Sequence, residues 1–267
     1  MNKIKTIEPA QCEPTNIGDK QLVHGSLFSG IGGFDLAAEQ AGFENAFHCE
    51  WNEFGQKILK HYWKNSVSYG DITKTDFTIW RGRVDIVTSG FPCQDISIAG
   101  KRAGIHGERS GMFFENIRAV NEIRPRIAIW ENVGEITNYL PEIIESYSEI
   151  GYCLSWYTIR ASWFGLPHQR ERIFGVAFNT DCIGWNEIQN EARNIEKAIY
   201  EASKREFSRA TCRKIQYQDY SGFMREDDGI PEGLHSESIK AYGNSIIPQI
   251  ALCIFNALKP CLFSGCH

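Results

Sequence analysis

No uninterrupted apolar run in these 267 residues approaches the roughly 20 that a membrane-spanning helix needs. The greasiest stretch, Ile246 to Phe263, is broken by Pro248, Gln249, Asn256 and Lys259. No solenoid-length period, heptad array or collagen-like repeat occurs, which removes fibrous and repeat architectures. There is no C-x-x-C among the nine cysteines. An odd count without that motif predicts reduced thiols, mostly small buried hydrophobes, and a cytoplasmic setting. Cys253, Cys261, Cys266 and His267 follow no common zinc spacing, so no metal is expected. Residues 1–21 are polar, with Pro9 and Pro14. They read as a flexible leader rather than a secretory signal. Positive charge is short as well: the formal net charge is −5. That argues against a protein that coats nucleic acid indiscriminately and leaves local basic patches open.

What is present is a globular composition, 42% hydrophobic and 23% charged, which excludes wholesale disorder. The length suits one α/β core with an insertion. Strands are predicted at Leu22–Phe28, Ala46–Glu50, Val84–Ser89, Arg126–Trp130, Leu154–Ile159 and Ile173–Phe178. Helices are predicted at Phe34–Gly42, Glu53–Trp63, from a Ser110 cap to Ile123, and over Pro141–Glu149. The alternation predicts a parallel, doubly wound sheet. A long loop with glycines at 90, 100, 104 and 107 runs from Gly90 to Arg109. Residues 22–178 form the expected catalytic core and 179–238 a short variable insert. Residues 239–267 return to the core as a helix over Ile239–Leu258. Within the insert, Ile188, Ala192, Ile195, Ile199 and Ala202 share one helix face. Lys204, Arg205, Arg209, Arg213 and Lys214 lead into Tyr217, Tyr220 and Phe223. That composition fits either a nucleic-acid surface or a solvated helix end.

Four places carry chemistry. Ser29-Gly30-Ile31-Gly32-Gly33 follows a strand and opens a helix, so backbone N–H groups are able to approach a ligand closely. Asp35 stands where the third glycine of a dinucleotide fingerprint belongs. A nucleoside without a pyrophosphate therefore fits better than a nicotinamide cofactor, and a plain tight turn remains open. Glu50 ends the next strand, placed to take a ribose hydroxyl pair. Cys93, in Gly90-Phe91-Pro92-Cys93-Gln94, lies just past a central strand, where α/β sheets bind ligands. It is either an activated nucleophile or an inert buried thiol. Glu131, in Trp130-Glu131-Asn132-Val133, is either a proton donor or a satisfied strand-end carboxylate. Gln169-Arg170-Glu171-Arg172 is either a surface ladder or a grip on a carbonyl or phosphate.

In order along the chain stand Phe28-Ser29-Gly30-x-Gly32-Gly33, Pro92-Cys93-Gln94-x-x-Ser97-x-x-Gly100, Glu131-Asn132-Val133, Gln169-Arg170-Glu171-Arg172 and Gly243-Asn244-Ser245. This order resembles the cytosine-C5 DNA methyltransferase family over about residues 22–178 and 239–258. The resemblance implies a Rossmann-like, S-adenosylmethionine-dependent methyltransferase fold with a short target-recognition insert. It implies that Cys93 attacks C6 of a flipped cytosine, that Glu131 bonds N3 and the exocyclic amine, and that Arg170 and Arg172 lie near the base. For S-adenosylmethionine it implies Phe28, Ser29, Gly30, Gly32 and Gly33 at the turn and Glu50 on the ribose. Trp51, Asp71 and Ile72 would meet the adenine, with Gly90, Pro92, Asn244 and Ser245 beside them. Gln94, Ser97, Arg209, Arg213 and Lys214 face DNA in this reading. Double-stranded DNA, a monomer and a cognate restriction endonuclease as a candidate partner follow.

Two departures stand out. Ser26 occupies the place where many members carry an acid. Only about 60 residues separate the Arg-Glu-Arg segment from the last helix, with Asp228-Gly229-Ile230-Pro231 leading almost directly into Ala241-Tyr242-Gly243-Asn244. Two rivals keep parts of the reading: methylation of cytosine in RNA, and a DNA-binding module with a dead site. The intact Cys93, Glu131, Arg170 and Arg172 set counts against the second.

Overall fold

The central strands Val23–Leu27, Ile86–Ser89 and Ile127–Val133 are buried at successive residues, so each buries both faces and lies inside a sheet covered twice. The computed structural model describes residues 21–92, 111–164, 170–204 and 246–263. β1 (Val23–Leu27) leads into α1 (Gly33–Gln40), and β2 (Glu44–Cys49) into α2 (Glu53–Tyr62) and β3 (Val67–Tyr69). Next come β4 (Ile86–Ser89), α3 (Gly111–Ile123), β5 (Ile127–Val133) and α4 (Leu140–Glu149). β6 (Tyr152–Arg160), β7 (Glu171–Asn179), α5 (Trp185–Lys204) and α6 (Pro248–Phe263) complete the described elements. Seven of these strands form one sheet in the order β3-β2-β1-β4-β5-β7-β6.

The expectation of a wholly parallel sheet is corrected here. β7 runs antiparallel to both β5 and β6, while the other neighbours pair in parallel. The reason is chain length. Only residues 161–170 link β6 to β7, too few for the crossover of a dozen or more residues that a parallel return needs. β3 has three half-buried or exposed residues and carries too little pattern to be predicted. The last helix also differs from expectation. It begins at Pro248 and continues to Phe263, because proline suits the first helical turn and disfavours helix in the residue before it. Its far end is held by Arg126, whose guanidinium donates to the carbonyls of Leu262 at 2.7 Å and Cys261 at 2.9 Å. Ser110 and its expected cap lie outside the described residues.

The two faces of β5 and β7 separate cleanly. Ile127, Ile129, Phe174, Val176 and Phe178 join Phe34, Ile188, Ile195, Phe255 and Leu258 in one core, under α1, α5 and α6. Ala128, Trp130, Ile173 and Ala177 join Phe113, Val120, Ile143 and Tyr147 in the other, under α3 and α4. Thus Asn179 ends β7, and α5, read from sequence as part of the insert, packs into the core through the predicted isoleucine face. Among the described residues no helix is long and apolar enough to cross a membrane.

The fully buried Trp130 sits over Gly175, its partner in the β5–β7 ladder. A Cβ on Gly175 would come within 2.0 Å of the indole. We expect Gly175→Ala to lower unfolding stability by about 1–3 kcal/mol through overpacking. Trp130→Leu should offset part of that loss in a double-mutant cycle read by urea denaturation.

Candidate active site

The parallel strands bring the ends of β1, β2, β3, β4 and β5 to one edge of the sheet. The chain order reverses there, since β1 lies between β2 and β4. Such a switch point opens a crevice for ligands. β1 ends in a tight turn of unusual backbone. Phe28 has φ 50°, Gly30 57° and Gly32 85°. The first is costly for an aromatic residue and marks stored strain. Ser29 N–H donates to Cys49 O at 3.1 Å, and Gly32 N–H to Ser29 O at 2.9 Å.

Glu50, just past β2, clasps this turn. One carboxylate oxygen accepts from Gly30 N–H at 2.7 Å, the other from Asn52 N–H at 2.7 Å. Burial raises its pKa, and the backbone amides of Asn52, Gly30 and Trp51 offset only part of that rise. Asn52 then caps α2, its side-chain oxygen accepting from Phe54 and Gly55 N–H at 2.9 and 3.1 Å. Gly55 is a residue that the sequence reading missed. A Cβ there would meet Gly30 O at 2.5 Å and the Glu50 Cγ at 2.9 Å. A glycine inside a helix costs about 1 kcal/mol, and that unexplained cost was the available signal. Trp51 is 71% exposed beside Glu50, so its ring face is free for a planar ligand. Past β3, Asp71 caps the turn Ile72–Lys74, accepting from Thr73 N–H and Oγ1 and pairing with Lys74 at 3.0 Å. The Thr73 and Lys74 contacts hold this partly buried carboxyl below the ordinary range.

On the other side of the crevice stand the acid and the arginines. Because β7 is reversed, Arg172 faces Val133 across the ladder. Its Nε lies 3.0 Å from the Glu131 carboxylate. Glu131 is buried, and burial raises its pKa while Arg172 and then Arg170 oppose the shift. Arg170 is half-buried and held below the usual arginine range by burial and by Arg172. Arg172 also donates to Glu171 O at 2.8 Å, and Glu171 pairs with Arg160 at 3.0 Å. Val133, Gly134, Glu135, Glu171 and Arg172 line an open groove beside the pair. Asn132 donates to Phe91 O at 3.3 Å, tying β5 to the segment that enters the Pro92-Cys93 loop. Gly90 N–H donates to Leu27 O at 3.3 Å. The structure thus brings Phe28, Ser29, Gly30, Gly32, Gly33, Glu50, Trp51, Asp71, Ile72, Gly90, Pro92, Glu131, Arg170 and Arg172 to one sheet edge. Cys93, Gln94, Ser97, Arg209, Arg213, Lys214, Asn244 and Ser245 lie outside the described residues.

A twice-covered sheet with one reversed strand, and a glycine turn clasped by the acid after β2, define the Rossmann-like methyltransferase class. Two solved structures share the fold. The S. pombe Dnmt2 methyltransferase aligns with a TM-score of 0.52 at 20% identity, over 65% of this chain and 54% of its own. Spodoptera frugiperda DNMT2 aligns with a TM-score of 0.50 at 21% identity, over 60% and 51%. Residues 23–222 match the family model for C-5 cytosine-specific DNA methylases, and the chain belongs to that family. Among curated relatives, Type II methyltransferase M.Eco47II of Escherichia coli is 33% identical over 219 residues, 74% of this chain and 52% of that one. Type II methyltransferase M.HhaI of Haemophilus parahaemolyticus is 34% identical over 177 residues, 62% and 52%. The orphan methyltransferase M.Rho11sI of Bacillus phage rho11s is 32% identical over 182 residues, 64% and 35%. The chain therefore spans about half the length of the curated relatives it matches.

The Arg172–Glu131 pair invites a thermodynamic test. Arg172→Met leaves a buried carboxylate with less compensation and should cost about 1.5–3 kcal/mol, the scale of a hydrogen bond to a charged group. The double variant Arg172→Met with Glu131→Gln should recover part of that loss, because removing both charges is cheaper than stranding one. Chemical denaturation of the four proteins checks it; strict additivity would mean the pair is not coupled.

Proposed function

We propose that this chain methylates C5 of cytosine in double-stranded DNA with S-adenosylmethionine, through a covalent adduct on Cys93. The observation that carries the reading is the buried Glu131, paired with Arg172 on the same sheet edge as a glycine turn clasped by Glu50. The family membership and the names of the relatives agree with it. A cytoplasmic setting is part of this reading, and a cognate restriction endonuclease would be its natural partner.

The residues present suit the methyl donor. Glu50 spends one lone pair on each of two amides and keeps others for a ribose diol. Trp51 offers an exposed ring, and Asp71, at the rim past β3, a carboxylate acceptor for an exocyclic amine. Phe28, Ser29, Gly30, Gly32, Gly33, Gly90, Pro92, Asn244 and Ser245 are the residues that would hold S-adenosylmethionine, which would supply an electrophilic methyl group on a sulfonium. The chain's own work is to make C5 a nucleophile. A stacked cytosine hides C6, so the base is flipped out at a cost of a few kcal/mol. The Cys93 thiolate bonds to C6 and breaks the ring's aromaticity. Glu131 holds the proton at N3, which offsets the negative charge pushed onto the ring. Its pKa, raised by burial, favours that proton, and Arg170 and Arg172 keep the carboxyl oriented near the base. Once C5 is methylated, its proton leaves to a base and the C6–S bond breaks. The ring is then aromatic again and the thiolate is free.

Cys93→Ser should retain cofactor binding and lose methyl transfer, since a hydroxyl is far less ionised than a thiol. Retention of more than about a tenth of turnover, a cost of at most about 1.4 kcal/mol, would remove Cys93 from the nucleophile's role. DNA bearing 5-fluorocytosine should trap a denaturation-stable adduct on the wild type, because fluorine cannot leave as the proton does. Bisulfite sequencing of DNA and RNA from an expressing strain separates the two polymers: marks confined to RNA would overturn the DNA assignment.

Recognition falls to few residues. α5 is spent on packing, so the basic and aromatic stretch 204–223, together with Gln94 and Ser97 in the catalytic loop, is the segment we assign to DNA. Replacing Arg209, Arg213 and Lys214 by Ala should weaken DNA binding on all sequences and flatten its salt dependence, with S-adenosylmethionine affinity unchanged. An unaltered salt slope in a filter-binding or anisotropy titration would return the stretch to a solvated surface.

A further inference from the structure

The turn that carries Asp71 has little of the sheet to lean on. It follows β3, a three-residue strand at the sheet's outer edge. Its own bonds are short-range: Thr75 Oγ1 donates to Asp71 O at 2.7 Å, and Lys74 N–H to the same oxygen at 3.2 Å. What fastens it to the body of the protein comes from α3. Arg118 Nη2 donates to Ile72 O at 2.6 Å, and Nη1 to Thr75 O at 3.1 Å. The guanidinium is gripped in turn from its own helix. Nε donates to Glu115 at 2.8 Å and Nη1 to Glu122 at 2.7 Å, while Nη2 lies 2.7 Å from Glu115. Glu122 also accepts from Phe77 N–H at 2.9 Å, next to a fully buried ring. The backbone from Asp71 to Phe77 is therefore tied at Ile72, Thr75 and Phe77 to one arginine–glutamate unit.

Ion pairs along a helix do not require this arrangement, since a lysine at 118 would reach Glu115 and Glu122 as well. Arginine has five N–H donors fixed in one plane. Here two go to carbonyls of the turn and the others to the two carboxylates. Ile72 also packs in one core cluster with Ala119 and Ile123 of α3. Apolar contact of that kind is non-directional: it sets how close the turn lies and leaves its rotation open. Hydrogen bonds to a planar cation are directional and fix the rotation. The carbonyls that Arg118 takes lie just past Asp71 and on Thr75, the residue whose hydroxyl holds Asp71 O. The Asp71 carboxylate is fixed on the turn by Thr73 and Lys74, and Arg118 fixes the turn on α3. We propose, resting on the methyltransferase reading above, that Arg118 is a positioning residue that aims the Asp71 carboxylate into the crevice and so sets the preference for a nucleobase bearing an exocyclic amine.

Calorimetric titration of the full chain with two probes tests this. One is S-adenosylhomocysteine; the other is its analogue with unsubstituted purine in place of adenine, which lacks only the amine. The wild type should favour the first by about tenfold, the scale of one hydrogen bond to a charged group. Arg118→Met should bring the two within about twofold, with the loss confined to S-adenosylhomocysteine. Arg118→Lys keeps the charge and the helix ion pairs but not the planar fork. It should show the same loss of preference, and it decides the matter if Arg118→Met does not fold. Asp71→Asn should remove the preference directly. A residue that only stabilised the fold would weaken both probes together or neither. Either result in the Arg118 variants overturns the proposal, as does a wild type without preference or a preference that survives Asp71→Asn. The methyltransferase reading stands in each of those cases. Failure of the wild type to bind S-adenosylhomocysteine overturns that reading and the role of Arg118 with it.

Discussion

Because β7 runs against β5, Arg172 and Arg170 emerge at the edge where the parallel strands end, rather than at the far end of the sheet. Every other strand that reaches this edge does so with its C-terminus. A seventh parallel strand would carry Arg-Glu-Arg to the opposite side, more than 20 Å away for nine residues at about 3.3 Å each. The reversal therefore makes the Glu131–Arg172 pair possible. The pair in turn makes a buried acid tolerable at a strand end, where an uncompensated carboxylate would cost several kcal/mol. Trp130 and Gly175 hold the register of that ladder from the layer beneath, one residue before Glu131.

On the other side of the crevice the constraint is closeness rather than charge. The turn after β1 has to leave the sheet, start α1 and still meet the first turn of α2. Gly32 takes a φ of 85°, and a Cβ there would strike the Trp63 ring at 2.3 Å. Gly55 admits Gly30 O from the opposite direction. Glu50 closes the arrangement by taking N–H groups that would otherwise stay unpaired. The same carboxylate that stiffens the turn thus stands at its rim with lone pairs to spare, so scaffold and binding surface are one set of atoms.

Much of this was readable in the chain, for identifiable reasons. The glycine turn, Glu50 and Glu131 stand at changes from apolar strand to polar residue, and those changes fall at the sheet edge once the strands are parallel. The isoleucine face of α5 was visible through its spacing, though not which core it joins, since periodicity names a face and not its partner. The reversal of β7 was missed because strand direction leaves no mark in composition; the ten-residue link before it was the only hint. Gly55 was missed because it matters through what lies across a gap in space, the Gly30 carbonyl oxygen, a neighbour 25 residues away in sequence.

The layer under the turn also shows how this fold handles buried polarity. His24 is wholly buried between Asn45 and Thr88, at 2.6 Å through Nδ1 and 2.8 Å through Nε2. Asn45 donates its amide to Asp35 O, so its oxygen faces the ring and Nδ1–H is the donor. Burial lowers the His24 pKa from 6.5 to about 4. Its neutral form therefore contributes stability above pH 6.5 that is lost as pH falls toward 4, since only the unfolded chain takes the proton. Asp35 has the opposite sign. Its pKa is raised from 3.8 to about 7, so it costs nothing below 3.8 and an increasing amount as pH climbs to 7. At about 1.4 kcal/mol per unit of difference, the two groups pull stability in opposite directions across the same range. The histidine is satisfied on both nitrogens and acts as ordinary core. Among the described residues the Asp35 carboxylate has no hydrogen-bond partner, so its cost grows as pH rises toward neutrality.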